Sequence, residues 1–254
     1  MKLTLVNILL LTVIISQAQT PSDSSKIEQL RAESGVDPTR VMTRLGYTIL
    51  INDLKGAAGR IGNRISATIG VGRWSFTARY EVIAKTTGVP GTGFETGAND
   101  LRFSVLNAFY VKGRHALAAS AEFFLPTGKP GFGAQYLSVA PSLTYSFTIS
   151  PSLFFALQPQ YSFHLMKDPL YPSLSVLTIR PFLAKFTKTG YFFVIEPRPI
   201  INFESNKTNW ILSPIIGKSL GKGFNLIGLL ELPVNKATRE QTGTLVQFGI
   251  NKNI

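Results

Sequence analysis

Leu137-Ser138-Val139-Ala140-Pro141-Ser142-Leu143-Thr144-Tyr145-Ser146-Phe147-Thr148 alternates without a break. Leu137, Val139, Pro141, Leu143, Tyr145 and Phe147 share one face, and Ser138, Ala140, Ser142, Thr144, Ser146 and Thr148 share the other. A period of two belongs to extended chain, whose successive side chains point to opposite sides. One face of this strand suits hydrocarbon and the other suits water.

The split recurs along the chain. Leu153, Phe155, Leu157, Tyr161 and Phe163 oppose Ser152, Gln158, Gln160, Ser162 and His164. Ile65, Ala67, Ile69 and Val71 oppose Arg64, Ser66 and Thr68, and Phe76, Ala78, Tyr80 and Val82 oppose Ser75, Thr77, Arg79 and Glu81. The last segment sets Val246, Phe248 and Ile250 against Gln247, Gly249 and Asn251. Strands are expected near 43–53, 62–71, 74–84, 101–111, 115–126, 137–148, 152–164, 173–186, 191–203, 209–219, 224–234 and 243–253. That makes about twelve, each near the roughly 9–11 residues that a tilted membrane strand needs.

Tight turns such as Gly72-Arg73, Ser150-Pro151 and Lys188-Thr189-Gly190 alternate with longer connections at 54–61, 85–100, 127–136, 165–172, 204–208 and 235–242. Short connections on one rim and long ones on the other describe an up-and-down outer-membrane barrel. A soluble β-sandwich has similar strand spacing, but its strands do not place arginines and glutamates on the face opposite the apolar one. Aromatics also gather toward strand ends, with Trp74, Phe109, Tyr145, Phe147, Tyr191 and Phe192 near tight turns and Phe123, Phe163, Phe203 and Trp210 near long loops. Bilayer interfaces select such belts. The fold class expected is therefore all-β, a transmembrane antiparallel barrel of about twelve strands with a short N-terminal helical segment. Pro141, Pro159, Pro181, Pro197, Pro199 and Pro214 oppose this reading, because each removes a ladder donor from a strand.

Composition agrees with the pattern. The chain has 254 residues, 44% hydrophobic and 16% charged, with no Cys. Past residue 15 no apolar run approaches the roughly 18 residues of a membrane helix. The absence of cysteine removes disulfide scaffolds, thiolate nucleophiles and Cys-based zinc sites. Met1-Lys2, the apolar run Leu3 to Ile15 and Ser16-Gln17-Ala18 read as a secretory signal cleaved after Ala18. The formal charge of +12 for the full sequence becomes +11 once Lys2 is removed, and it belongs to an exported chain, which argues against nucleic acid as its partner. Residues 19–42 contain a helix signal, the capping-box spacing Ser25-Lys26-Ile27-Glu28 followed by Gln29 to Glu33, with Gly35 and Pro38 to stop it. This segment is expected either to plug the barrel of residues 43–254 or to hang in the periplasm.

Extending the alternation places Arg44, Arg64, Arg79, Arg102, Arg180, Arg198, Glu81, Glu122, Glu196 and Glu231 in the lumen. Arginine presents a fork of donors that matches a carboxylate, so it suits fixed pairs in a confined space. A two-residue turn at Gly72-Arg73 pairs Val71 with Trp74 and so sets Arg64 opposite Glu81. Two roles follow: a mildly cationic passage for small solutes, or an ionic lattice that seals a narrow barrel and holds it rigid. Enzyme signatures are thin. Ser162 and His164 lie two apart on the face expected to point inward, so they read as a lumen-lining pair rather than as the Ser–His dyad of an outer-membrane lipid hydrolase. A loop carboxylate site at Glu95 and Asp100 is the one metal candidate, and Gly91 to Gly97 imitates a dinucleotide loop without the helix that must follow it, so it reads as a mobile external loop. No catalytic residue, metal ligand or cofactor is assigned.

Glu95-Thr96-Gly97-Ala98-Asn99-Asp100-Leu101-Arg102-Phe103, then a strand pair, then Leu125-Pro126-Thr127-Gly128-Lys129-Pro130-Gly131-Phe132-Gly133 resembles the exported barrel family associated with meta-pathway phenol degradation. The resemblance is firmest over 95–147. It implies an outer-membrane channel for small solutes, hydrophobic or aromatic ones included. The expected partners are outer-membrane lipids and lipopolysaccharide, the barrel-assembly machinery and a small-molecule solute. The chain ends Asn251-Lys252-Asn253-Ile254 rather than in the aromatic residue common to such barrels.

Overall fold

Each period-two stretch becomes a strand, and the strands close on themselves. The computed structural model describes residues 21–53, 59–86, 93–166 and 173–254; the expected signal segment lies outside them. Helix α1 (Pro21–Ser34) precedes β1 (Arg44–Asp53), β2 (Gly59–Val71), β3 (Trp74–Thr86), β4 (Phe94–Ala98), β5 (Leu101–Lys112), β6 (His115–Leu125) and β7 (Leu137–Ser150). There follow β8 (Leu153–Met166), β9 (Ser175–Phe186), β10 (Tyr191–Asn202), β11 (Lys207–Gly221), β12 (Phe224–Pro233), helix α2 (Lys236–Gln241) and β13 (Leu245–Asn253).

All neighbours pair antiparallel, and β13 returns to β1 with Arg44 opposite Asn253 and Tyr47 opposite Ile250. With β2 also on β3, the ring of strands closes among the described residues, as hydrocarbon demands of any sheet that enters it. β4 and β5 both pair with β3, with Val82 opposite Ala98 and Arg79 opposite Arg102, so they share one position in the wall. The barrel therefore has twelve wall positions. The stretch from Phe94 to Gly97, expected within a mobile loop, is instead held on β3 as part of β4, while Gly91 and Thr92 lie outside the described residues.

The outer face is apolar along its length: Ile65, Ile69, Val71, Phe76, Tyr80, Leu143, Ile195, Phe248 and Ile250 are all exposed. Register follows from tight turns. Gly221 pairs with Phe224 across Lys222-Gly223, and both turn residues have positive φ, 52° and 78°. This is the turn whose twist matches a right-twisted hairpin, and it calls for glycine. The six prolines expected within strands all fall on the outward parity, while Pro233, which ends β12, shares the parity of Asn225 and Glu231. The wall absorbs them by interrupting its ladder: on β9 and β10 pairing stops after Leu183 with Ile195 and resumes at Thr178 with Ile200, skipping Pro181, Pro197 and Pro199.

The core lies inside the barrel at the rim of tight turns. Ile27 and Leu30 of α1 pack against inward-facing Phe154, Ala156, Phe182, Ala184, Phe186, Phe192 and Val194. Full burial of Ile27 and Leu30 contributes about 1.5–3 kcal/mol apiece. Phe192, assigned above to the interfacial belt, is wholly buried here, its ring tilted 35° against that of Phe186 at a centroid distance of 5.8 Å. The parity of β10 turns it inward. α1 begins at Pro21, four residues before the expected cap, so Ser25 lies within the helix rather than at its start. It ends at Gly35, whose φ of 73° and contact with the Arg44 guanidinium leave no room for a side chain. The carbonyls at that helix end, which have no partner within the helix, accept from β-strand side chains. Glu33 O receives Arg44 Nη2 at 3.1 Å, Asn225 Nδ2 at 3.1 Å and Asn253 Nδ2 at 2.9 Å.

Candidate functional site

The inner face carries three groups of charge. The first grows from the β2–β3 hairpin, where Val71 faces Trp74 and Arg64 stands opposite Glu81. Glu81, almost fully buried, accepts from Arg64 Nε at 2.9 Å, Arg64 Nη2 at 2.7 Å and Arg60 Nη2 at 3.0 Å. Arg79 reaches past β5 to Glu122 on β6 at 2.6 Å. Arg102, opposite Arg79 on β5, lies with its guanidinium 5.0 Å from the Phe124 ring centroid and makes no ion pair among the described residues.

The second group joins β9, β10 and β12. Arg180 Nε and Nη2 donate to the two oxygens of Glu196 at 2.7 and 3.2 Å, and Arg180 Nη1 donates to Gln158 Oε1 at 3.1 Å. Arg198 donates to Glu196 Oε1 at 2.8 Å and to Glu231 Oε1 at 2.8 Å. Two guanidiniums meet two carboxylates, so this side of the lumen is electrically balanced.

The third group anchors the N-terminal segment. Arg31, 2% exposed, donates to Asp37 Oδ2 at 2.6 Å, Thr148 Oγ1 at 2.6 Å and Ser146 Oγ at 3.1 Å. Its guanidinium carbon lies 4.1 Å from the centroid of Phe154. Asp37 also accepts from the backbone and hydroxyl of Thr39, and Arg40 pairs with Glu28. Between this segment and the wall lies a cavity of about 310 Å³, bordered by Asp37, Arg40, Arg79, Glu122, Arg180 and Phe182.

Of the ten residues expected in the lumen, nine enter the first two groups and Arg44 caps α1. Arg60 escaped notice because the strand was expected to begin at residue 62, although it repeats the even parity of Arg64. Arg31, Asp37 and Arg40 carry no periodic signal, and only the docking of α1 places them here. Ser162 and His164 form no hydrogen bond to each other among the described residues, and His164 Nδ1 instead accepts from the Leu174 amide at 3.2 Å. Among the described residues no group of acids and histidines could hold a metal ion. Asp100 has a structural partner instead. It accepts from the Gly128 and Ala134 amides at 2.9 and 2.6 Å, tying the β6–β7 loop to the junction of β4 and β5. Phe132 of that loop rests on Gly97, where an added Cβ would meet its ring at 2.6 Å.

No protein-family model and no curated protein matches the sequence. The structure is similar to the COG4313 outer membrane channel from Pseudomonas putida F1, with TM-score 0.66, 11% identity, and 84% of this chain and 96% of that chain covered. It is similar to the NanC porin at TM-score 0.63 and 8% identity, covering 83% and 100%, and to the KdgM porin at TM-score 0.60 and 8% identity, covering 83% and 99%. At these identities the likeness establishes the fold, that of a closed twelve-strand outer-membrane β-barrel.

Proposed function

We propose that the protein is an outer-membrane channel for small solutes, with α1 and the segment to Met42 forming a plug at the periplasmic rim. The observation that carries this reading is the lumenal cavity of about 310 Å³ walled by fixed ion pairs, a polar passage inside an apolar wall. In the β2–β6 sector four guanidiniums (Arg60, Arg64, Arg79, Arg102) face two carboxylates (Glu81, Glu122), which favours anions. The KdgM porin has a solved structure in complex with disordered oligogalacturonate, which supports a solute-passing role for the fold. Hydrophobic and aromatic solutes remain part of the proposal through the resemblance over 95–147. Outer-membrane lipids, lipopolysaccharide and the assembly machinery complete the proposed surroundings.

A second reading, a sealed structural barrel, is favoured by the way α1 fills the tight-turn rim. Planar-bilayer conductance separates the two. The channel predicts current from the full chain and a larger current once residues 19–42 are deleted. No current and no liposome swelling with either form would overturn it.

A further inference from the structure

We propose that a second, smaller lumenal cavity is a binding site for a small carboxylate with an apolar body. This inference rests on the channel reading only in treating that ligand as a transported solute. The cavity holds about 170 Å³ and is lined by Leu50, Asn52, Arg60, Arg64, Glu81, Arg102 and Leu245. Cavities for drug-sized ligands run to roughly 300–1,000 Å³, so the occupant is a single ring or a short chain.

Charge and hydrogen bonding set its chemistry. Three guanidiniums share the cavity with one carboxylate, and that carboxylate is already engaged by Arg60 and Arg64. Arg102 therefore faces the space with its donors uncommitted to any acid among the described residues, and a guanidinium fork accepts a carboxylate through two parallel bonds. Asn52 sits alongside, its amide oxygen buried and without a hydrogen-bond partner among the described residues. A buried acceptor of this kind is costly to leave unpaired, and since an ionised carboxylate has no proton to donate, a water held beside the ligand is the donor that answers it.

The opposite wall is apolar. Leu50 on β1 is 7% exposed, and Leu245 on β13 stands directly across from Asn52 in the ladder. Gly62 opposite Leu50 leaves room for the Glu81 carboxylate, since an added Cβ would meet Glu81 Oε1 at 2.8 Å. A simple inorganic anion would use the arginines and leave the leucines uncovered. An aromatic or short alkyl monocarboxylate uses both. The larger cavity offers no comparably free fork: Arg79 and Arg180 on its wall hold Glu122 and Glu196, Arg40 pairs with Glu28, and Arg44 is engaged by Asn253 and the carbonyls ending α1.

The test is titration calorimetry on the full chain in detergent, with sodium benzoate, benzyl alcohol and inorganic phosphate as probes. Benzoate should bind, with benzyl alcohol and phosphate much weaker. Arg102→Gln should weaken benzoate by about tenfold or more, as expected on losing a charge-assisted pair, and Arg102→Lys should recover part of the loss. Neutralising Arg102 strands no partner acid, so the variant should keep the heat-dependent gel shift of a folded barrel. Absence of benzoate binding, equal binding by Arg102→Gln, or phosphate binding as tight as benzoate would each overturn the proposal. Bilayer recordings keep the two readings apart: benzoate binding without any conductance removes the channel and leaves the site, whereas conductance with no benzoate binding removes the site and leaves the channel.

Discussion

Arg31 Nη1 donates to Thr148 Oγ1 at 2.6 Å across 117 residues of chain. The same guanidinium holds Asp37, which lets a short helix of weak amphipathic character dock firmly inside a barrel. Removing one partner of a buried ion pair costs about 3–5 kcal/mol, because the other charge is left without compensation. Arg31→Ala should loosen α1 by that order. Trypsin should then cut within residues 21–42 of the detergent-solubilised protein while the barrel keeps its heat-dependent gel shift; resistance equal to wild type would refute the latch.

Glu196, 2% exposed, stands between Arg180 and Arg198. Glu196→Gln leaves two guanidiniums facing one remaining acid, Glu231. Its reversal potential in a salt gradient should move toward anions, and the midpoint of thermal unfolding should fall. A shift toward cations would contradict the balance assigned to this side of the lumen.

The Asp100 carboxylate accepts two amides of the β6–β7 loop, which the Lys129 amide on Ala98 O and Phe132 on Gly97 also hold. A Cβ at Gly133 would lie 2.2 Å from Asp100 Oδ1, so Gly133→Ala should expel the loop. Asp100→Asn should weaken the same anchorage by about 1.5–3 kcal/mol, the range for hydrogen bonds to charged groups. Both variants should be cleaved in 126–136 under limited proteolysis. If neither is, the loop is held by something other than Asp100.

Ile65, 60% exposed midway along β2, faces outward. Ile65→Arg should destabilise the inserted barrel by about 2–4 kcal/mol, as cations on the lipid face near the midplane do. The neighbouring inner position Ser66→Arg should not repeat this penalty through lipid contact. Equal recovery of heat-modifiable protein from wild type and Ile65→Arg would argue that this face does not meet hydrocarbon.

Alternation is a local property, and local properties were readable in the linear chain: the twelve wall positions, the outward face, the Arg64–Glu81 pair and the tight turns, whereas the connection expected to be long at 204–208 is a four-residue link between β10 and β11. Each depends on residues a few positions apart, through a period of two and a hairpin register set by its turn. Arg60 lay one repeat beyond the expected strand end, and Phe192 was misassigned because an aromatic near a strand end suits either a bilayer interface or an internal cluster. The short β4 was obscured by its glycine-rich composition.

Closure settled what local pattern could not. Bringing β13 against β1 places Leu245 beside Asn52, which creates the small cavity. The same closure gathers Glu33 with Asn225 and Asn253 around the end of α1. These contacts join residues about two hundred positions apart, so no window of sequence contains them. The entropic cost of bringing such distant segments together is met only when the whole ring of hydrogen bonds forms. The docking of α1 and the small cavity beside Asn52 are therefore properties of the closed barrel, whereas the Asp100 anchorage joins residues 28 and 34 apart and depends on how one loop folds back on its own wall.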